Sequence, residues 1–188
     1  MKLPWPFTGL LLVGLSLGLV ACSSAPIRFH TLVPPPDKSS TAGNRERIVV
    51  ESVSVPPQVN RTELVVREEA SGLVILESDW WGASLPEEIR SALTARLDGP
   101  STQNPTRAWV TITRFDTLPG RGAWLEADYR LNARQSTDTT TICRFRHQSN
   151  AGDSITSLVL AHQENLDALA QEIAQGASRL EQRQTGCP

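Results

Sequence analysis

The chain has 188 residues, 18 basic and 20 acidic side chains, and a formal net charge of −2. Its basic residues are scattered rather than clustered, which excludes the electrostatic footprint of a nucleic-acid binder. The length suits one domain with a leader and a tether.

Met1-Lys2 places one positive charge ahead of the apolar run Leu10 to Val20 (LLLVGLSLGLV). These eleven residues are too few for a bilayer span, which needs about 20, and suit the apolar core of a secretory signal. The run ends in Leu19-Val20-Ala21-Cys22, the order of a bacterial lipobox: apolar, small, then an obligatory cysteine. The sequence therefore predicts a signal peptide over residues 1–21 and lipidation of Cys22, with a diacylglycerol on the thiol and an acyl chain such as palmitate on the freed amine. The competing reading is an ordinary signal peptide with a chance cysteine. Ser23, not Asp, follows the cysteine, and in Gram-negative sorting this predicts the outer membrane with the domain facing the periplasm. Without residues 1–21 the chain keeps 167 residues and a net charge of −3, because Lys2 is the only charge lost.

Residues 22–45 read as a lipidated Pro/Ser-rich tether, with Pro34-Pro35-Pro36 followed by Ser39, Ser40, Thr41 and Gly43. Its apolar knot, Phe29 to Val33, can dock on the domain as a short edge strand. Residues 46–188 form the single domain. Ile48 to Val55 is a strand ended by Pro56-Pro57. Leu64 to Arg67 and Leu73 to Leu76 flank Ser71-Gly72 as a hairpin. After Trp80-Trp81, Ser84 with Glu87 has capping-box spacing for a helix, and Leu85, Ile89, Leu93 and Leu97 share one face until Gly99-Pro100. Three strands follow. In the first, Trp109, Thr111, Thr113 and Phe115 alternate against Val110, Ile112 and Arg114. The second sets Leu125, Ala127, Tyr129 and Leu131 on one face, and the third does the same with Thr141, Cys143 and Phe145. Asp153 or Ser154 caps a long helix whose apolar stripe runs from Ile155 to Leu180 and includes His162. The order predicts an α+β fold, a mainly antiparallel sheet built from two β-β-β-α halves with two helices on one face.

Little in the chain points to chemistry. The three histidines, His30, His147 and His162, are far apart and lack ligand spacing, so no metal and no cofactor is expected. Nucleophile elbow, Walker and dinucleotide motifs do not occur. Glu68-Glu69 and Glu87-Glu88 are adjacent pairs whose side chains diverge, and they read as turn and helix N-terminal charges rather than an acid/base couple. Trp80 and Trp81 face opposite sides of an extended segment. One is core, and the other either shields a sheet edge or anchors a partner. Cys143 and Cys187 are the only thiols left after lipidation. In the oxidising periplasm they can form an intramolecular disulfide, an inter-subunit bridge, or remain free. A straight last helix would overshoot Cys143, so the tail must fold back, and a helix break at Gly176 would ease this.

The ordered set of short motifs carries a resemblance. A lipobox leads to Phe29-His30-Thr31-Leu32 and prolines. The strands Glu51 to Pro56 and Leu64 to Arg67 come next, then Trp81 with Leu85 and a helix ending Ala95-Arg96-Leu97. Val110 to Asp116 pairs with the strand opened by Trp124. In this the chain resembles the PqiC-like ABC-type transport auxiliary lipoproteins over nearly the whole mature length. It departs at Gly82 to Pro86, where the proline follows Leu85 instead of preceding it. The resemblance implies a non-enzymatic lipoprotein on the periplasmic face of the outer membrane. Its implied partner is an MCE-domain membrane protein of a lipid-transport system that maintains envelope integrity, and self-association into a homo-oligomer fits that role. A structural or assembly lipoprotein of another envelope complex is the first alternative, and a periplasmic hydrolase the second.

Overall fold

A computed structural model describes residues 26–35, 47–100, 104–132, 140–184 and 186–188. Cys22, the expected signal peptide and most of the expected tether lie outside them. The elements run β1 (Arg28–His30), β2 (Ile48–Ser54), β3 (Glu63–Glu68), β4 (Gly72–Trp81), α1 (Leu85–Arg96), β5 (Thr106–Leu118), β6 (Gly122–Asn132), β7 (Thr140–Ser149) and α2 (Ile155–Glu181). The fold is α+β, and the β-β-β-α order does occur twice after β1.

The halves are not two parts of one sheet, however. Among the described residues there are two sheets, of order β1-β4-β3 and β2-β5-β6-β7. The β3–β4, β5–β6 and β6–β7 pairs are antiparallel, while β1–β4 and β2–β5 are parallel. β2 leaves its own half because the hairpin and α1 together supply the long crossover that a parallel pair requires. Both helices cover one face of the four-stranded sheet, α2 over β5 to β7 and α1 over β2.

Period-2 patterning sets the buried face of β6, where Leu125, Ala127, Tyr129 and Leu131 are all buried against α2. In β5 the simple alternation fails. The register shifts between Ile112 and Arg114, so Phe115 swings onto the same buried side as Ile112 instead of sharing a face with Trp109. A bulge of this kind inserts one residue and reverses every facing beyond it.

The helix ends also differ in chemistry. The Ser154 side chain accepts from the Ser157 amide at 3.2 Å, a true N-cap for α2. At α1, Ser84 makes no side-chain cap, and Glu87 turns outward to Arg90 at 2.6 Å rather than reaching back. Pro86 in the first turn does the work instead, since its ring presets the helical angle where no N–H is needed. α2 continues unbroken through Gly176. A Cβ there would meet Leu131 Cδ1 at 2.9 Å, so the glycine serves close helix-to-sheet approach, not a break.

The outer face of the four-stranded sheet is covered by charge. Arg114 lies 3.9 Å over the Trp124 ring and Arg130 4.4 Å over Trp109. Arg144 bonds Asp128 at 2.9 Å. Among the described residues no helix is long and apolar enough to cross a membrane.

Candidate functional site

The segment after β1 has no strand partner, so its backbone groups need side chains to satisfy them. Two helices supply these. Thr31 Oγ1 and the Leu32 amide donate to Glu88 Oε2 at 2.8 and 2.9 Å. Arg96 Nη1 donates to the Leu32 carbonyl at 3.2 Å, and Gln163 Nε2 to the Thr31 carbonyl at 2.9 Å. Arg96 is itself fully buried, also donates to the Ala92 and Gln163 carbonyls, and ion-pairs with Asp167. Leu32 is thereby pinned in the core with no exposed surface.

One step back, Arg28 and His30 converge on the buried Asp79 at 2.8 Å each. Burial pushes the Asp79 carboxyl up, but bonds from Arg28, His30 and Ser78 outweigh it and hold the group below the usual carboxylate range. Residues 28–32 are thus clasped from three sides.

Neither Glu88 nor Arg96 stood out in the sequence, where Glu88 read as an N-terminal helix charge. The available signal was positional. Leu85, Glu88, Ile89, Ala92, Leu93 and Arg96 recur at helical spacing, which puts both charges on the apolar face.

The structure separates the two candidate tryptophans. Trp81 is core, 3% exposed, with its ring edge-on to Phe115 at 6.2 Å. Trp80 turns to the opposite face, half-buried, with its indole N–H donating to the Glu77 carbonyl at 3.0 Å. There it meets Phe29 edge-to-face at 6.4 Å, and Phe29 is 66% exposed. Further along β4, Leu73, Val74 and Ile75 are exposed in succession. β1 pairs with β4 only at Asp79–Trp81, so among the described residues no strand covers that edge of β4 from Gly72 to Ser78.

A polar cleft of about 590 Å³ opens between β3 and β5, lined in part by Arg67, Arg114, Asp116, Arg121 and Glu126. Asp116 takes Arg67 at 2.9 Å and Arg114 at 2.6 Å. Burial raises its carboxyl, but the two guanidiniums prevail and keep it below the usual range. Behind it, His162 stacks on Phe115 at 3.8 Å and bonds Thr117 Oγ1 at 2.9 Å. Burial pushes the imidazole down to about 3 against the pull of Asp116. A carboxylate saturated by arginines and a sealed neutral imidazole are poorly placed to exchange protons with a substrate. Among the described residues no three His, Cys, Asp or Glu side chains converge as a metal site.

Cys143, on the buried face of β7, is joined to Cys187 by a disulfide with a Cα–Cα distance of 5.6 Å. The tail beyond α2 folds back to reach it, and Arg179 Nη1 donates to the Cys187 carbonyl at 2.6 Å.

A family model for the ABC-type transport auxiliary lipoprotein component matches residues 30–174. No protein of curated function matches the chain. A solved structure of an uncharacterized protein superposes with a TM-score of 0.64 at 18% identity, over 80% of this chain and 98% of its own. A Xanthomonas campestris protein of a domain family of unknown function superposes at 0.59 with 11% identity, over 85% and 97%. At these identities the two structures speak to the fold alone.

Proposed function

Because the chain belongs to the ABC-type transport auxiliary lipoprotein component family, we propose that it is the non-enzymatic docking subunit of an MCE/ABC-type lipid-transport system. In this reading Cys22 carries the lipid, the outer membrane holds it, and the domain faces the periplasm as a homo-oligomer around its MCE-domain partner. The observation that carries the docking role is the edge of β4 left uncovered among the described residues, where Leu73, Val74 and Ile75 are 42%, 38% and 45% exposed. A bare apolar strand edge offers unpaired backbone groups and side-chain area to an incoming strand, and proteins that do not use such edges blunt them with charge or proline. The buried Trp81 takes no part.

The test is affinity purification of the lipidated protein from envelope extract, with its partners identified by mass spectrometry. An MCE-domain protein should co-purify with the native chain and be lost from a Val74→Lys/Ile75→Lys variant. The Cys22→Ala form should leave the outer-membrane fraction while the domain stays folded. Capture of a different envelope complex by the native chain would replace this reading with that of an assembly lipoprotein.

A further inference from the structure

The clasp limits how far the domain can stand from the membrane. Among the described residues the first paired into the fold is Arg28, only six positions after Cys22. Even fully extended, six residues reach roughly 20 Å. A free tether to residue 45 would hold the domain tens of Å away, but the pairing of β1 and the bonds at Thr31 and Leu32 remove most of that length. The anchor therefore holds one particular end of the molecule near the headgroups.

That end is apolar and aromatic. Ile27 and Phe29 are 46% and 66% exposed. Phe29 is the register partner of Trp80, and the two rings touch edge-to-face on the outer side of the three-stranded sheet. Trp80 presents an apolar ring whose N–H is already satisfied by the Glu77 carbonyl, which suits the boundary between headgroups and acyl chains.

We infer that Ile27, Phe29 and Trp80 form a membrane-docking face that seats the domain on the lipid surface to which Cys22 is anchored. This rests on the lipidation of Cys22. The short leash supplies the local concentration, and the aromatic pair supplies the contact.

The experiment uses the full lipidated protein in vesicles of phosphatidylethanolamine and phosphatidylglycerol, some with brominated acyl chains. Flotation reports anchoring, and bromine quenching of tryptophan reports docking. The native protein should float and show quenching that is lost in Trp80→Phe. Ile27→Ser/Phe29→Ser should float and melt like the native protein but lose most of the quenching. Flotation without quenching, or quenching that survives Trp80→Phe, would overturn the docking face while leaving the anchor intact. Failure to float, with no acyl mass on Cys22, would remove the anchor reading and the docking face with it. A change of oligomer mass in Ile27→Ser/Phe29→Ser with no quenching in the native protein would assign the face to a second copy instead.

Discussion

Over the four-stranded sheet, α2 lays Leu166, Leu169 and Ile173 into one core cluster with Leu125, Ala127 and Tyr129, all buried. The three-stranded sheet is joined to the same core differently. Its N-terminal strand is held by the buried charges Asp79, Glu88 and Arg96, and its central strand keeps one edge open. The first region is stabilised by apolar area, in which any one side chain contributes a few kcal/mol and neighbours can relax around a change. The second depends on a few buried polar groups: Glu88 and Arg96 answer the Leu32 backbone, and Asp79 answers the Arg28 and His30 side chains. Regions of that kind respond sharply when one member is removed, because the remaining members are left buried and unsatisfied.

Arg96 is where that difference should be largest. Arg96→Ala strips the Leu32 and Gln163 carbonyls and Asp167 of their donor, and leaves a void where a full arginine was buried. The expected loss is about 3–5 kcal/mol by denaturant unfolding. Arg96→Met refills the volume without the donors and should recover part of it. A loss under about 1 kcal/mol for Arg96→Ala would mean that apolar packing alone holds the N-terminal segment.

The disulfide tests the helix-covered region from its far end. A bridge closing 44 residues should stabilise by about 4 kcal/mol in the chain-entropy model. Cys187→Ser should therefore lower the melting temperature without changing the chemistry of the clasp. Alkylation of periplasm-derived protein without reductant, read by mass spectrometry, checks the premise. Full labelling of both Cys143 and Cys187 would remove the bridge from the native protein.

These two regions also differ in how legible they were. The stripe of α2 and the inward face of β6 follow from local periodicity, and the structure buries them apart from the half-buried Ile155, while of the two cap candidates, Asp153 and Ser154, it is Ser154 that caps. The clasp was not legible, because Glu88 meets Leu32 across 56 residues and Arg96 meets it across 64. A charge on an apolar face announces that a partner exists without saying where. Phe115 was misplaced for another reason: a one-residue bulge leaves no mark in composition yet reverses facing. The parallel pairing of β2 with β5 depends on how the intervening hairpin and helix pack, which no local pattern records. Alternation did separate Trp80 from Trp81, and only the fold shows which of the two is core.

His162 offers a smaller effect with its own pH signature. In the fold the imidazole is held neutral, its pKa lowered from 6.5 to about 3 by burial. Between those values the unfolded chain binds one proton that the fold does not, so stability falls as pH falls, by about 1.4 kcal/mol per unit. His162→Gln keeps a partner for Thr117 and should flatten this slope between pH 6.5 and 4.5. Asp79 and Asp116 act in a lower window. Their pKa values are depressed in the fold, so their stabilisation is present above the ordinary carboxylate value and is lost as pH falls below it. Equal slopes for native and variant proteins would mean that His162 is protonated in place.

The smallest expected effect on stability falls on the open edge of β4, and that is its diagnostic value. Val74 and Ile75 are register partners of Val66 and Val65, which are buried from the β3 side. A lysine at position 74 or 75 can extend its stem along that surface and keep its ammonium in water. The β3–β4 ladder is untouched, so Val74→Lys and Ile75→Lys should each stay within about 0.5 kcal/mol of the native protein. Lysine on an edge strand opposes the arrival of another strand, through charge and through the desolvation it would demand. The expected pattern is therefore unchanged thermal and denaturant unfolding together with loss of partner capture or of oligomer mass. A loss of more than about 2 kcal/mol instead would place Val74 and Ile75 in the fold's own packing. The docking edge would then have to be sought elsewhere on the three-stranded sheet.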